Sequence, residues 1–248
     1  MIHRDRILGA RVEAGRREEF LERITGLAEA GVLSRVLFAN VHMVVESARN
    51  PSLHRAMEDA DLVCPDGMPV ARLVASRHAG SRRTEGMSVF PRLLALAEEF
   101  GIPVALYGST GSVLEATSDR ICREHPNLRL VLAFAPPFGA ELEASLAEDQ
   151  ERLRACGARL VFVALGCPRQ ELWMSSVREV PACLLGIGNA FEIYAGLRSR
   201  APRWARSLCL EWMFRLVQEP RRLAWRYAST NVRFLWALPG EMRRRRAP

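Results

Sequence analysis

The chain contains no lysine, so all 35 of its basic residues are arginine. We attribute this absence to a bias in codon composition, and it excludes no class of function. No uninterrupted apolar run approaches the roughly 20 residues that a membrane-spanning helix needs. The opening residues, MIHRDRILGA, lack the apolar stretch of a secretory signal. We therefore expect a cytoplasmic protein that can still lie on a membrane surface.

Cysteine pairs at metal-binding spacing are also missing. The six cysteines lie far apart in the sequence, and none has a second cysteine or a histidine at the spacing of a zinc site. This pattern argues against a structural zinc site and against a disulfide framework. Reduced thiols and no metal are the expectation.

The charge is concentrated at one end of a chain of ordinary globular composition. Of its 248 residues, 49% are hydrophobic and 25% charged, which excludes a disordered chain and suits one large domain. Residues 1–197 hold 22 Arg against 25 acidic residues, whereas residues 198–248 hold 13 Arg against three. The net charge of +7 therefore comes from the C-terminal segment, and we predict two parts, 1–197 and 198–248.

Short aliphatic runs alternate with amphipathic helical patterns from about residue 35, as in βαβ units. The pattern predicts an α/β fold, with a Rossmann-like, mostly parallel sheet covered by helices on both faces. A C-terminal helical appendage follows it. The predicted strands are Arg35–Ala39, Asp61–Cys64, Pro103–Tyr107, Leu128–Phe134, Leu160–Leu165 and Cys183–Ile187.

The C-terminal segment has no strand candidate and carries four of the five Trp residues together with the run Arg243–Arg246. Trp and Arg together are typical of a helix on the surface of an anionic membrane. The alternative is a helix that packs on the core and leaves its basic face in solvent. A nucleic-acid contact is a further reading, but no recognised DNA- or RNA-binding module appears.

Ligands of open parallel sheets bind beyond the carboxyl ends of the strands, so the loops after the strands are the candidate site. Four of these loops carry polar or glycine-rich sequences that we expect to line one crevice. They are 40–42, 65–67, 108–111 and 166–171.

Asp66 lies between a proline and a glycine directly after a predicted strand. A carboxylate held by rigid backbone at the rim of the sheet can act as a general base. The alternative is that Asp66 caps a helix that begins at Gly67.

Two glycine-rich stretches and one acidic pair could bind phosphate or metal. Residues 108–111 (GSTG) offer backbone N–H groups to a diphosphate. Residues 186–191 (GIGNAF) nearly match a dinucleotide fingerprint, which keeps a nucleotide-sugar epimerase or dehydrogenase as the alternative function. Asp59 and Asp61 form a D-x-D pair, but the pair precedes its strand, so we expect it at the opposite edge of the sheet.

Seven sequence blocks, in this order, resemble the WecG/TagA/CpsF bacterial glycosyltransferases (glycosyltransferase family 26). The blocks are ANVHMVVESARN (39–50), ADLVCPDGMPV (60–70), RTEGMS (83–88), YGSTGSV (107–113), LGCPRQE (165–171), GIGNAFEIYAG (186–196) and RAPRWARSLCLEWMFRLVQEPRRLAWRY (200–227).

The resemblance implies an inverting transfer of N-acetylmannosamine or a related sugar from a UDP-sugar. The acceptor would be a GlcNAc-type sugar on a polyprenyl diphosphate, in teichoic acid, common antigen or exopolysaccharide synthesis. It also implies a Rossmann-like catalytic domain, 1–197, whose active site is completed by the appendage, 198–248. The enzyme would be peripheral on the inner face of the cell membrane, and a homo-oligomer stays open.

The resemblance further implies that Asp66 is the catalytic base and that Asn40 and Arg83 belong to the catalytic group. In the appendage, Arg215 and Arg222 would bind diphosphate, which together with the misplaced D-x-D favours a metal-independent reaction. The other predicted substrate-binding residues lie in the strand-end loops, namely Gly108, Ser109, Thr110, Gly111, Gly166, Arg169, Gln170, Gly188, Asn189 and Glu192.

Three residues depart from the family pattern. Phe38 stands where many members have threonine, Glu192 stands where aspartate is usual, and Cys209 replaces a glycine. The first two changes fall in the predicted sugar and nucleotide sites.

Overall fold

A computed structural model describes residues 1–137, 139, 142, 144–202, 205, 210–218 and 230–241, with Arg215 described by its backbone only. The chain opens with an antiparallel hairpin of β1 (His3–Ile7) and β2 (Ala10–Ala14). The strands that follow are β3 (Ser34–Ala39), β4 (Leu62–Pro65), β5 (Val104–Gly108), β6 (Leu130–Phe134), β7 (Leu160–Ala164) and β8 (Cys183–Gly186).

Strands β3 to β8 form one sheet in the order β4-β3-β8-β7-β5-β6, and every neighbouring pair is parallel. All six predicted strands are present, with ends within two residues of the prediction. The α/β class with a Rossmann-like parallel sheet is therefore confirmed. The carboxyl ends of the four inner strands, β3, β8, β7 and β5, face the same edge.

Helices connect the strands and continue beyond them. They are α1 (Arg17–Ala30), α2 (Val41–Ser47), α3 (Pro51–Glu58), α4 (Met68–Ala75), α5 (Gly86–Glu99), α6 (Gly111–Glu124), α7 (Leu146–Ala155), α8 (Arg169–Ser176), α9 (Ala190–Tyr194), α10 (Glu211–Gln218) and a last helix, α11, over 230–241.

Apart from the edge strand β6, whose residues are partly buried or exposed, the sheet is buried on both faces because successive side chains of each strand enter opposite cores. In β3, Val36 and Phe38 pack into the core under α1 and α5, whereas Leu37 and Ala39 pack into the core with α2 and α4. This double burial explains why the strands read as continuous aliphatic runs in the sequence.

The N-terminal hairpin was not predicted, because charged residues interrupt the apolar pattern of β2. Arg11 and Glu13 are nevertheless both buried. The Glu13 carboxylate accepts hydrogen bonds from Arg11 Nε and from the backbone N of Val63 in β4, both at 2.6 Å. Burial raises the pKa of Glu13, and the Arg11 charge opposes that shift. The Glu13 carboxylate thus attaches the hairpin to β4, the strand that Asp66 follows.

The described C-terminal helices pack on the sheet domain. Phe234 of α11 is buried in the core, and the Glu241 carboxylate pairs with Arg77 and accepts the backbone N–H of Leu8 at 3.2 Å. Trp236, on the same helix, is 83% exposed. The C-terminal segment therefore both packs on the core and exposes an aromatic side chain. Separately, no described helix is both long and apolar enough to cross a bilayer.

We predict that Gly108→Ala lowers the free energy of unfolding by about 2 kcal/mol or more. Gly108 has φ +106°, and a Cβ there would lie 2.6 Å from the carbonyl oxygen of Ala164 in β7. Gly111→Ala is the matched control, because a Cβ at Gly111 has no heavy atom within 4 Å among the described residues. Its expected change is below about 1 kcal/mol. Urea unfolding followed by circular dichroism measures both, and equal effects would contradict the prediction.

Candidate functional site

The loops after β3, β4, β5, β7 and β8 form a polar cavity of about 330 Å³ at the carboxyl edge of the sheet. Nine of the residues predicted for the site line it: Asn40, Asp66, Ser109, Thr110, Gly166, Gln170, Gly188, Asn189 and Glu192. The expectation that these loops share one crevice is confirmed.

A second cavity of similar volume lies beside the first, beneath α10 and α11. Its lining is largely apolar, and the C-terminal helices contribute Trp212, Phe234, Leu235 and Leu238. Four residues line both cavities: Asn40, His42, Asp66 and Met87. Asp66 is therefore positioned between a polar and an apolar compartment.

The backbone around Asp66 fixes it at the rim of the sheet. Its N–H donates to the carbonyl of Ala39, the last residue of β3, at 3.0 Å. Helix α4 begins at Met68 with Gly67 as its N-cap residue, so the alternative that Asp66 is the N-cap is wrong. The Asp66 side chain is 24% exposed, which leaves it accessible from the cavities.

Asn40 lies next to this loop and begins α2. Its side-chain oxygen accepts the N–H of Met43 at 3.1 Å, as an N-cap residue does. A Cβ at Gly67 would approach Asn40 to 3.3 Å. The glycine after Asp66 therefore allows the β3 and β4 loops to lie close together.

Arg83 connects Asp66 to other acids. Its Nε donates to the Asp66 carbonyl, and its Nη2 lies 3.7 Å from Asp66 Oδ1, 2.9 Å from Glu85 Oε2 and 2.6 Å from Glu211 Oε2. Burial acts to lower the pKa of Arg83, but the three carboxylates outweigh it and the pKa is raised. Glu85 also pairs with Arg200.

Two residues of the GSTG segment (108–111) line the polar cavity, and the other two lie in the strand and the helix that flank it. Ser109 (φ +61°) and Thr110 line the polar cavity, and Thr110 caps α6 through the N–H of Val113 at 3.4 Å. Gly108 ends β5 behind them, and Gly111 is the first residue of α6. The N-terminus of this 14-residue helix therefore begins at the cavity wall.

Gln170 is only 3% exposed and holds the β8 loop in place. Its side-chain oxygen, Oε1, accepts the N–H of Gly188 at 3.0 Å, and its side-chain nitrogen, Nε2, donates to Glu171 Oε1 at 2.9 Å. Glu171 is buried, which raises its pKa, and its Oε2 has no hydrogen-bond partner among the described residues. Gln170 thus supports the cavity wall as well as lining it.

The remaining predicted residues lie at or beyond the margin of the polar cavity. Glu192 pairs with Arg198 at 2.9 Å, and both side chains line the cavity. Phe38, which replaces the usual threonine, is buried at the cavity floor. Arg169 is exposed and does not line either cavity.

The D-x-D pair lies at the other end of the strands, as expected. Asp61 precedes β4, and its carboxylate accepts the N–H of Arg35, near the start of β3, at 2.8 Å. Within the described ranges, no group of three or more His, Cys, Asp or Glu is arranged to hold a metal ion. The five described cysteines form no disulfide.

Two predictions in the C-terminal segment cannot be located in full. The backbone of Arg215 lies in α10, whereas Arg222 and Cys209 lie outside the described residues. The sequence reasoning did not single out Glu85, Arg198, Arg200 or Glu211. Glu85 lies in the RTEGMS block and Glu211 in the LEW sequence, but neither block indicates that the two acids meet at Arg83.

We predict that Gln170→Ala lowers the free energy of unfolding by about 1 to 3 kcal/mol, because the Gly188 N–H and a Glu171 oxygen both lose their partner. Arg169→Ala is the neighbouring control, since Arg169 is exposed, and its expected change is within about 0.5 kcal/mol. Chemical unfolding of both variants checks this. If Gln170→Ala were as stable as the control, Gln170 would have no supporting role.

The chain matches a family model described as the glycosyl transferase WecG/TagA/CpsF family over residues 6–248. The match spans the sheet, both cavities and the C-terminal segment. It removes the basis for the alternative of a nucleotide-sugar epimerase or dehydrogenase, and the family implies a nucleotide-sugar donor and a lipid-linked acceptor. The chain belongs to this family and is a glycosyltransferase of cell-surface polysaccharide synthesis.

Proposed function

We propose that the protein transfers N-acetylmannosamine or a related sugar, with inversion, from a UDP-sugar to a GlcNAc-type sugar on a polyprenyl diphosphate. The observation that carries this proposal is the position of Asp66, which lines both a polar and an apolar cavity. A donor with a charged diphosphate suits the first cavity, and an acceptor with a lipid tail suits the second.

The polar cavity offers the groups that a nucleotide-sugar needs. The hydroxyls of Ser109 and Thr110 lie at the N-terminus of α6, where unpaired backbone N–H groups and the helix dipole favour a phosphate. Asn189 and the Glu192–Arg198 pair add polar contacts for the sugar or nucleotide. Arg198 also brings a positive charge to a cavity that otherwise contains several acids.

Asp66 acts as the base. Its carboxylate takes the proton of the acceptor hydroxyl as that oxygen attacks the anomeric carbon of the donor sugar. The bond from the anomeric carbon to the phosphate oxygen breaks, and UDP leaves with the electron pair. Attack opposite the leaving group inverts the anomeric configuration. Arg83 holds the loop that presents the carboxylate, and Asn40 packs against Gly67 of that loop.

Guanidinium groups and the α6 terminus are proposed to stabilise the departing diphosphate without a metal ion. Guanidinium binds phosphate in a bidentate manner and carries a permanent charge. Arg198 lines the donor cavity, and Arg215 and Arg222 stay proposals from the family resemblance. Arg83 is not among these phosphate-binding groups, because its guanidinium already pairs with the carboxylates of Asp66, Glu85 and Glu211.

The C-terminal segment, 198–248, is proposed to complete the acceptor site at the inner face of the membrane. Its helices α10 and α11 supply much of the apolar lining. They also expose Val217, Leu235 and Trp236, which suit contact with the lipid interface in which a polyprenyl acceptor lies.

The proposal is tested by incubating the purified protein with a panel of UDP-sugars and a short-chain lipid-diphosphate-GlcNAc acceptor. We expect acceptor-dependent release of UDP with one N-acetylated sugar. Asp66→Asn should reduce turnover by about 10² to 10⁴ because the base is lost. Asp61→Asn is the control and should keep near-normal turnover, since Asp61 lies at the opposite edge of the sheet. Normal turnover by Asp66→Asn would exclude it as the base.

We predict that transfer survives EDTA, because charge on the leaving diphosphate is balanced by arginine and helix N–H groups. The measurement compares initial rates of UDP release with and without an excess of EDTA. Loss of activity that returns on adding Mg²⁺ or Mn²⁺ would contradict the metal-independent mechanism.

A further inference from the structure

The acid Glu211 is the first residue of α10, yet it contacts the group that holds Asp66. Its Oε2 lies 2.6 Å from Arg83 Nη2, closer than the oxygens of either Glu85 or Asp66. Glu211 is also part of the apolar cavity lining. One side chain therefore joins the C-terminal segment, the cavity proposed for the acceptor and the arginine beside the base.

We infer that Glu211 is a positioning residue that keeps Asp66 basic by holding the Arg83 guanidinium away from the Asp66 carboxylate. This inference rests on the proposed role of Asp66 as the base. Arg83 donates through Nε to the Asp66 carbonyl, which keeps its guanidinium next to this loop. What Glu211 controls is the remaining separation of 3.7 Å between Arg83 Nη2 and Asp66 Oδ1.

Loss of the Glu211 charge is expected to change the protonation of Asp66 in one direction only. An arginine that pairs tightly with a carboxylate favours its charged form and makes it a weaker base, whereas a nearby negative charge does the reverse. Removing the Glu211 charge both deletes a negative neighbour and frees Arg83 to approach Asp66. Both effects lower the pH at which the Asp66 carboxylate becomes protonated.

Several other titratable or charged groups lie near Asp66. On the described side chains, the titratable or charged groups that face Asp66 or line a cavity with it are His42, Cys64, Arg83, Glu85, Cys167, Glu171, Glu192, Arg198 and Glu211, with Arg200 behind Glu85. Among these, Glu211 is the acid that the C-terminal segment contributes at Arg83. The base is thereby at full strength only with α10 docked.

The chain offers a matched control in Glu241. This acid also lies in the C-terminal segment and also pairs with an arginine of the sheet domain, Arg77, but it lines neither of the two cavities that contain Asp66. Glu211→Gln and Glu241→Gln thus each remove one ion pair between the same two parts of the chain. Only the first removes a partner of Arg83, the arginine beside the base.

The experiment compares the pH dependence of turnover for the wild type and both variants. We expect Glu211→Gln to lose about threefold to tenfold in kcat at pH 7, and its acidic limb to move down by about one pH unit. Glu241→Gln should keep the wild-type limb. Glu211→Asp, which keeps the charge on a shorter arm, should give an intermediate shift and serves if Glu211→Gln does not fold.

The titration of the Asp66 carboxyl carbon by ¹³C NMR, assigned with Asp66→Asn, gives the same reading without turnover. A lower midpoint in Glu211→Gln supports the inference, and an unchanged midpoint overturns it. Parallel loss of activity in Glu211→Gln and Glu241→Gln with unshifted profiles also overturns it, because both acids would then only dock the segment. Failure of the proposed function is distinct: Asp66→Asn would then transfer sugar normally whatever Glu211 does.

Discussion

The ion pairs of Arg83 are the contacts on which the site depends. One guanidinium binds the carbonyl of Asp66 and lies within 4 Å of the carboxylates of Asp66, Glu85 and Glu211. These acids come from the loop after β4, the start of α5 and the C-terminal segment. A largely buried arginine without carboxylate partners would be costly. The need of Arg83 for these partners therefore holds the β4 loop, the start of α5 and the C-terminal segment together.

The sheet supplies the second constraint. All six strands run parallel, so their carboxyl ends meet at one edge and deliver polar loops to one cavity. Gly108 lies behind that cavity and allows β5 to approach β7, whereas Gln170 lines it and ties the β8 loop to α8. The cavity wall is therefore held by backbone packing at Gly108 and by the hydrogen bonds of Gln170.

The structure places most of the residues implied by the family resemblance around one cavity, but it shows that these residues differ in their contacts. Residues such as Ser109 and Thr110 line the cavity, as expected for donor contacts. Gln170 combines lining with support of the β8 loop, and Arg169 turns outward. A motif records which residues a site requires, whereas the contacts distinguish those that face the cavity from those that hold its wall.

The sequence by itself determined the six strands of a mostly parallel sheet, because five of them are buried on both faces and read as aliphatic runs. It also determined that Asp66 follows a strand, since proline and glycine bracket it. The hairpin escaped prediction because the buried Arg11 and Glu13 look like solvent-facing charges until they are seen to satisfy each other. Only the tertiary structure decided that Glu211 reaches Arg83, because 128 residues separate them and no local pattern encodes a contact between two charges so far apart in the chain.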